Sequence, residues 1–234
     1  MQSNHTFPAT TGRSPDRVLL FDMDGVILEG PGLDPATTAR ALESALETFD
    51  VDPSRFPDSV KRSTAYSEAF REACSAAGID PVTCYARRER ACATAEIERI
   101  RSGERSIFPD TRVLSDLAGE YDLGLVSNNY DPLVSAVVEA FQLDAFAYTR
   151  GRDLGVDGYC RRKPDPHYLE EALDALERTH GIYVGDRETD IVAAERAGLE
   201  PVFIRRPENE TASLDLDIET AHEIDSLEAL PDVL

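Results

Sequence analysis

Short apolar runs alternate with segments of helical periodicity along most of the chain. Unbroken apolar runs of this kind, bounded by turn formers, are typical of strands buried on both faces. Their alternation with helical patterns predicts an α/β fold, in which crossover helices join the strands of a parallel sheet. The predicted strands are residues 18–21, 123–126, 146–148, 182–184 and 202–204, and the predicted core helices are residues 109–117, 132–141 and 166–176.

Residues 29–106 depart from this alternation. Three stretches of helical periodicity follow one another there, DPATTARALESALETF, SEAFREACSAAG and VTCYARRERACATAEIERIRS, and no strand pattern interrupts them. Linkers rich in turn formers, EGPGLDP and SGERSIFPD, flank this block. We therefore expect a discontinuous core of residues 16–28 and 107–234, an inserted all-helical cap at 29–106 and a flexible tail at 1–15.

The charge of the chain limits its partners. Its 24 basic and 45 acidic residues give a net charge of −21, which disfavours nucleic acid and anionic membranes as partners. The acidic residues are spread along a chain that is 41% hydrophobic, which indicates a folded, solvated surface and not disorder. Such a composition is typical of proteins from salt-loving organisms, so we expect molar potassium chloride to stabilise the protein.

Two further patterns in the sequence bear on the cellular compartment of the protein. No apolar run approaches the length that crosses a bilayer, and the polar first residues lack the apolar centre of a secretory signal. We therefore expect a cytoplasmic protein, with a monomer as the default state. The four cysteines show no close pair of the kind that binds zinc, so we expect reduced, structural cysteines.

Polar residues follow three of the predicted strands at the point where each strand ends. These residues are Asp22, Ser127 and Asp186; Asp24 lies two residues after the first, and Asp190 lies one helical turn after the third. In open parallel sheets the carboxyl ends of neighbouring strands share one crevice, so these side chains are expected to meet there. Four clustered carboxylates repel one another unless a cation lies among them, and an all-oxygen ligand set fits Mg²⁺.

A second group of residues could hold a phosphoryl group at the same place. The Ser127 hydroxyl and the backbone N–H groups of Asn128 and Asn129 could bind its oxygens, and Lys163 could neutralise its charge. Each signal is weak by itself, because a strand-end serine commonly bonds local backbone and a lysine is commonly a solvated surface charge. Lys163 stands out because Lys61 is the other lysine in a chain whose cations are otherwise arginines.

In their order and spacing these motifs resemble those of the haloacid dehalogenase superfamily, in its phosphatase branch with a helical cap. DMDGV matches the first motif, VSNN the second, RRKPDP the third and GDRETD the fourth, and together they extend over residues 18 to about 204. The resemblance implies a Rossmann-like core with an inserted cap. It further implies a phosphomonoester hydrolase that acts on a small phosphorylated metabolite through an aspartyl-phosphate intermediate.

The resemblance also implies roles for individual residues. Asp22 would attack phosphorus, and Asp24 would protonate the leaving alcohol and then activate water. Asp22, the backbone carbonyl of Asp24 and Asp186 would hold Mg²⁺, and Asp190 would bind it or order its waters. Ser127 and Lys163 would bind the phosphoryl oxygens. The presence of Asp24 argues against dehalogenation, because haloacid dehalogenases lack this second aspartate.

Some alternatives remain open at this stage. A phosphomutase of the β-phosphoglucomutase type shares all four motifs, and a non-catalytic phosphate-binding protein could keep the same fold. The fourth motif carries Arg187, where many relatives have a small residue. Substrate choice is expected to reside in the cap, with phosphoglycolate or a sugar phosphate as candidates from the resemblance alone.

The cap contains a local excess of positive charge that could attract a second anionic group of the substrate. Its candidate contacts are Lys61, Arg62 and Tyr66, and Arg87, Arg88 and Arg90 lie nearby in the sequence. The alternative is that these arginines pair with neighbouring glutamates on solvated helix faces, and this alternative is favoured for Arg90.

Overall fold

A six-stranded parallel sheet forms the centre of the molecule, with the strand order β3-β2-β1-β4-β5-β6. The computed structural model describes residues 17–30, 32–207, 209 and 222–234, so the predicted tail at 1–15 lies outside the described residues. The strands are β1 Arg17–Phe21, β2 Asp122–Tyr130, β3 Tyr148–Arg152, β4 His180–Gly185, β5 Glu200–Ile204 and β6 His222–Ile224.

Nine α-helices are described, and four of them lie in one block between β1 and β2. These four are α1 Pro35–Glu47, α2 Asp58–Lys61, α3 Glu68–Ala77 and α4 Pro81–Arg101. The others are α5 Leu114–Leu117, α6 Asp131–Phe141, α7 Val156–Cys160, α8 His167–Ala175 and α9 Glu188–Arg196. Short 3-10 helices cover Pro53–Arg55, Pro109–Val113 and Leu227–Val233.

The α/β prediction is confirmed, and the differences are local. The third strand begins at Tyr148 and not at residue 146, because Phe146 closes a turn through its N–H to the Leu143 carbonyl at 3.3 Å. The helix predicted at 109–117 is a 3-10 turn followed by one turn of α-helix. The last described segment forms a 3-10 helix over Leu227–Val233, for which no core element was predicted.

The alternation of side chains along β1 divides the core into two layers. Leu19 and Phe21 face a cluster that includes α6, while Val18 and Leu20 face a second cluster built with α8 and α9. All four side chains are buried. Burial on both faces explains the unbroken apolar run that predicted this strand, because helices cover a parallel sheet on each side.

The helical block has an apolar cluster of its own, which includes Leu42, Phe70 and Tyr85. Its longest helix, α4, also packs against α6 of the sheet layer. A buried ion pair joins the two parts, since Arg152 of β3 donates to both carboxylate oxygens of Glu89 on α4, at 3.1 and 2.5 Å. The three predicted helices of this block correspond to α1, α3 and α4. Within the described part of the chain, no helix combines the length and apolar character that a membrane crossing requires.

Candidate active site

The strand order brings the polar strand ends together as the sequence predicts. β1 lies between β2 and β4, so Asp22 follows the central strand while Ser127 and Asp186 belong to its two neighbours. The ladder between β1 and β4 extends one residue further, with the Asp22 N–H donating to the Val184 carbonyl at 2.9 Å. β2 continues past Ser127 to Tyr130, with a register shift between these two residues. Asn128 and Asn129 therefore lie at an irregular point of the strand.

Three carboxylates converge at this edge of the sheet. One oxygen each from Asp22, Asp186 and Asp190 lies within 4.8 Å of the others. Asp22 and Asp190 are buried, and the Asp186 side chain is 13% exposed. Asp190 also accepts a hydrogen bond from the Arg187 N–H at 3.1 Å, which fixes its orientation at the start of α9. Of the four predicted metal ligands, these three side chains form the cluster.

Lys163 neutralises part of this charge from the loop between α7 and α8. Its ammonium lies 2.8 Å from Asp22 Oδ1 and 2.7 Å from Asp190 Oδ1, and it also donates to the Tyr183 hydroxyl. Burial acts to lower the pKa of Lys163, but the two carboxylates outweigh burial and raise this pKa. Lys163 is therefore a permanent cation at neutral pH, held against the carboxylates.

Two glycines permit the carboxylates to approach the backbone so closely. A Cβ atom on Gly25, whose φ is +75°, would lie 2.2 Å from Asp186 Oδ2. A Cβ atom on Gly185 would lie 2.2 Å from the Cβ of Asp190. The glycines of DMDGV and GDRETD are thus required by the close packing of the carboxylate cluster.

The donor set fits a divalent cation. Asp186 Oδ1 is buried and accepts no hydrogen bond from the described residues, and three carboxylates face one buried ammonium. Burial, together with the charges of Asp22 and Asp190, raises the pKa of Asp186 to about 7. Asp186 Oδ1 lies 3.6 Å from Nε of the Arg187 guanidinium, which is 60% exposed. A carboxylate oxygen without a hydrogen bond, among other hard oxygen donors, is what Mg²⁺ coordination would satisfy.

Asp24 lies beside the cluster and points elsewhere. Arg105 Nη2 donates to Asp24 Oδ1 at 2.8 Å, and Asn129 Nδ2 donates to Asp24 Oδ2 at 2.7 Å. Both oxygens of this carboxylate therefore have a donor. The metal-ligand prediction for Asp24 concerned its backbone carbonyl, and the side chain is engaged with Arg105 and Asn129 instead.

The predicted phosphate-binding residues fall into two groups. The side chains of Ser127 and Asn128 line the cavity described below. The Ser127 hydroxyl accepts from the Asn129 backbone and side chain, both at 3.2 Å. Asn128 exchanges two hydrogen bonds with the backbone of Lys163, at 2.8 and 3.1 Å, so its side chain holds the lysine loop in place. Lys163 itself lies behind Asp22, outside the cavity lining.

A cavity of about 470 Å³ opens over Asp22 and Asp24. The helical block contributes Thr64 and Glu96 to its lining, together with the residues that lead into α1. The candidate cap contacts lie elsewhere. Lys61 pairs with Asp58 at 2.8 Å, Arg62 is exposed, and the Tyr66 ring packs against Tyr85 with centroids 5.0 Å apart. The lining residues are Asp22, Asp24, Gly32, Leu33, Asp34, Pro35, Thr64, Glu96, Ser127, Asn128, Asn129, Tyr130, Arg152, Tyr159, Arg162 and Arg187.

Three side chains that shape the site were not predicted from the sequence. Arg105 binds Asp24, Tyr183 accepts from Lys163, and Arg152 lines the cavity while paired with Glu89. Period-two alternation in β4 could have placed Tyr183 on the face opposite Ile182 and Val184. No local signal marks Arg105 or Arg152, because their partners are far away in the sequence.

Solved structures with the same fold come from several bacteria. A haloacid dehalogenase superfamily hydrolase of subfamily IA from Geobacter sulfurreducens is 20% identical, covers 94% of this chain and all of its own, and has a TM-score of 0.54. CbbY from Rhodobacter sphaeroides, solved in complex with phosphate, is 19% identical with a TM-score of 0.60, covering 90% of this chain and 94% of its own. At these identities the likeness is one of fold.

Sequence comparison adds the family. Phosphoglycolate phosphatase from Rhodobacter capsulatus is 36% identical over 70 residues, which is 30% of this chain and 30% of that protein. The match thus covers less than a third of the relative. The sequence model of the haloacid dehalogenase-like hydrolases matches residues 17–198, a range that includes all four motifs and the whole helical block. The chain belongs to the haloacid dehalogenase-like hydrolase family.

Proposed function

We propose that this protein is a Mg²⁺-dependent phosphomonoester hydrolase that acts on a small phosphorylated metabolite through an aspartyl-phosphate. One observation carries the proposal. Asp22, Asp186 and Asp190 meet beside the buried Lys163, and a buried oxygen of Asp186 accepts no hydrogen bond from the described residues. A cluster with this excess of negative charge is suited to a cation and a phosphoryl group together.

Asp22 is proposed as the nucleophile. It lines the cavity, and its Oδ1 lies 2.8 Å from the Lys163 ammonium, which holds the carboxylate in place. An oxygen of Asp22 bonds to phosphorus while the bond between phosphorus and the ester oxygen breaks. Water then attacks the phosphorus of the aspartyl-phosphate, and the bond to Asp22 breaks to release phosphate.

Asp24 is proposed as the general acid and base. In the first half-reaction its carboxyl gives a proton to the departing ester oxygen, and in the second half-reaction its carboxylate takes a proton from the attacking water. The second half-reaction thus restores to Asp24 the proton that the first half-reaction used. Its place in the cavity lining, between Arg105 and Asn129, supports this role.

The remaining core residues are proposed to bind charge. Asp22, Asp186 and the backbone carbonyl of Asp24 would hold Mg²⁺, and Asp190, already bonded to Lys163, would order its waters or bind it. When bound, Mg²⁺ supplies positive charge that stabilises the phosphoryl oxygens in the transition state. The Ser127 hydroxyl and the Asn128 backbone N–H would donate to these oxygens, and Lys163 would hold Asp22 in place from behind.

The cap assignment and the substrate are also proposals. Residues 29–106 are proposed to form a cap, because residues 32–35, 64 and 96 of this block line the cavity that opens over Asp22 and Asp24. Arg162 lines the same cavity, stacks on the Tyr159 ring at 3.6 Å, and has no carboxylate within ion-pair distance among the described residues. It could therefore bind a second anionic group.

Two relatives indicate substrates to test. One is named phosphoglycolate phosphatase, and the other, a CbbY variant, was solved with xylulose 1,5-bisphosphate. Both compounds carry an anionic group in addition to the phosphoryl group that would be removed. Small anionic phosphate esters are therefore the first substrates to try, with phosphoglycolate and sugar phosphates among them.

The test is hydrolysis of p-nitrophenyl phosphate and a panel of phosphorylated metabolites, with Mg²⁺ and with EDTA. Asp22→Asn should lower kcat by about 10⁴-fold or more, because the nucleophile is lost. Asp58→Asn, which changes an exposed aspartate of α2, is the matched control and should retain activity. Equal rates for wild type, Asp22→Asn and EDTA-treated protein would contradict the proposal.

Product analysis separates the alternatives that share the motifs. A hydrolase releases inorganic phosphate in equal amount to the substrate consumed. A phosphomutase would instead return an isomeric sugar phosphate as the main product. Phosphate binding without any turnover across the panel would indicate a non-catalytic protein.

A further inference from the structure

Arg105 is a buried cation that none of the four motifs contains. It lies on the returning segment, residues 102–108, which leads the chain from α4 back to the core. Its Nη2 donates to Asp24 Oδ1 at 2.8 Å, and the Arg105 side chain is 2% exposed. Burying a guanidinium costs desolvation free energy, so its burial against a proposed catalytic carboxylate indicates a specific role.

The same guanidinium also binds the ingoing segment, residues 28–30, which leads from the core into the helical block. Arg105 Nε and Nη2 donate to the Glu29 carbonyl at 3.1 and 2.9 Å, and Nη2 also donates to the Gly30 carbonyl at 3.1 Å. The two segments pair directly as well, with the Glu29 N–H donating to the Ser106 carbonyl at 2.8 Å. Arg105 therefore touches Asp24 and both connections to the helical block.

The contact fixes one side of Asp24, and the core fixes the other. Asn129 Nδ2 donates to Asp24 Oδ2 at 2.7 Å and to the Ser127 hydroxyl at 3.2 Å. Asn129 belongs to β2, whereas Arg105 belongs to the returning segment. Without Arg105, the Asp24 carboxylate would keep the hydrogen bond from Asn129 and could rotate about it. A carboxyl group displaced by about 1 Å loses much of its ability to transfer a proton.

We infer that Arg105 is a positioning residue that aims Asp24 at the leaving-group oxygen from the point where the ingoing and returning segments pair. This inference rests on the proposed function, because it assigns Arg105 to the step in which Asp24 protonates the leaving group. A purely structural role would need only the carbonyl contacts with Glu29 and Gly30. The short ion pair with Asp24 is what the structural role leaves unexplained.

The test uses two substrates of similar shape that differ in their need for a proton. p-Nitrophenolate departs without protonation, whereas phenolate is a poorer leaving group and depends on a general acid. The quantity to compare is kcat/KM, which covers the steps up to departure of the leaving group and excludes hydrolysis of the aspartyl-phosphate. In Arg105→Gln, kcat/KM for phenyl phosphate should fall about 100-fold, and for p-nitrophenyl phosphate about 3-fold or less.

Arg206 provides the matched control. It is a second buried arginine, and it donates to the backbone carbonyls of Gly25 and Val26, at 3.4 and 3.0 Å, just before the ingoing segment. It pairs with Asp110 at 2.8 Å and forms no hydrogen bond or ion pair with Asp24. Arg206→Gln should therefore lower kcat/KM for the two substrates by the same factor. Arg105→Lys should lie between wild type and Arg105→Gln, because an ammonium can reach Asp24 but cannot also bind both carbonyls.

The outcomes separate this inference from the proposed function. If the wild type hydrolyses neither the aryl phosphates nor any compound of the metabolite panel, the proposed function fails and the inference falls with it. If the wild type hydrolyses both and Arg105→Gln slows both equally, the positioning role is wrong while the hydrolase proposal stands. If Arg105→Gln does not fold, Arg105→Lys carries the same comparison, and a substrate-independent loss in it would overturn the inference.

Discussion

The side chains of Asp110 and Asp186 are largely buried to a similar degree, but the hydrogen bonding of their carboxylates differs. The side chains are 11% and 13% exposed. Asp110 accepts from Arg206 at 2.8 and 3.2 Å, from the Ser226 hydroxyl at 3.0 Å and from the Leu227 N–H at 2.9 Å. Asp186 has a buried oxygen that accepts nothing from the described residues. The first carboxylate is satisfied within the fold, and the second is left in need of a cation.

The pKa values of the two groups move in opposite directions. Burial acts to raise the pKa of Asp110, but the hydrogen bonds from Arg206 and Leu227 outweigh burial, so this pKa lies below its ordinary value. Burial and two neighbouring carboxylates raise the pKa of Asp186 to about 7. An aspartate oxygen that is buried without a hydrogen bond is a better indicator of function here than burial itself, because the fold supplies hydrogen-bond donors where the role is structural.

Of these two aspartates, Asp186 should matter far more for activity, and Asp186→Asn should abolish stabilisation by Mg²⁺. At a concentration one hundred times its dissociation constant, a ligand stabilises the fold by about 2.7 kcal/mol, which corresponds to several degrees in Tm. We expect Mg²⁺ to raise the Tm of wild type but not of Asp186→Asn, and turnover in the variant to fall at least about 1,000-fold. Thermal unfolding with EDTA and with Mg²⁺ measures the first effect. An equal Mg²⁺-induced rise in the Tm of both proteins would show that Asp186 does not bind the metal.

Asp110→Asn should show the reverse behaviour. It leaves the Arg206 guanidinium buried with a neutral partner, which costs about 3 to 4 kcal/mol of unfolding free energy. The Mg²⁺-induced rise in Tm should persist, because Asp110 does not belong to the carboxylate cluster. Urea unfolding gives the loss, and a variant as stable as wild type would show that the Asp110–Arg206 pair contributes little.

The carboxylate cluster could be predicted from the sequence because sheet topology determines it. Asp22 and Asp186 each follow a buried apolar run, and parallel strands place such ends at the same edge. Lys163 could be singled out because lysine is so rare in this chain. The long-range partners could not be found this way. Arg105 is separated from Asp24 by 81 residues and lies in a linker without periodicity, so no pattern of local physics connects the two.

The helical block illustrates the same limit. Its helices were predictable from their periodicity and from start signals such as Asp34-Pro35 and Asp80-Pro81, where each aspartate caps a helix. Which face of each helix meets the cavity depends on how α1 and α4 pack on the core, and the sequence contains no signal for this. Charge and chemistry alone favour Lys61, Arg62 and Tyr66 as contacts, whereas the structure places Thr64 and Glu96 in the lining.

The pH dependence of metal-free stability should separate the two aspartates further. The Asp186 carboxyl has an ordinary pKa of 3.8 in the unfolded chain and a pKa of about 7 in the folded protein, so the folded state binds its proton more tightly. Its effect on stability is therefore favourable at low pH and is lost as the pH rises towards 7. Between pH 5 and pH 8 in EDTA, wild type should lose on the order of 2 to 3 kcal/mol relative to Asp186→Asn.

Asp110 should contribute nothing to that difference. Its pKa is depressed, so the stability that it provides is present above its ordinary pKa and is lost only at lower pH, outside the window of the experiment. Parallel pH profiles for wild type and Asp186→Asn would mean that Asp186 is not protonated in the metal-free protein.

Potassium chloride should change the unfolding free energy of wild type but should hardly change the cost of Asp110→Asn. The net charge of −21 predicts that molar salt raises the unfolding free energy of wild type by screening repulsion at the surface. Buried pairs are screened much less, so the cost of Asp110→Asn should change by less than about 0.5 kcal/mol between 0.1 and 2 M salt. Denaturation in urea at both salt concentrations measures the two quantities together. If salt does not raise the unfolding free energy of wild type, the prediction of salt adaptation is wrong. If the cost of Asp110→Asn depends on salt, the Asp110–Arg206 pair is open to solvent.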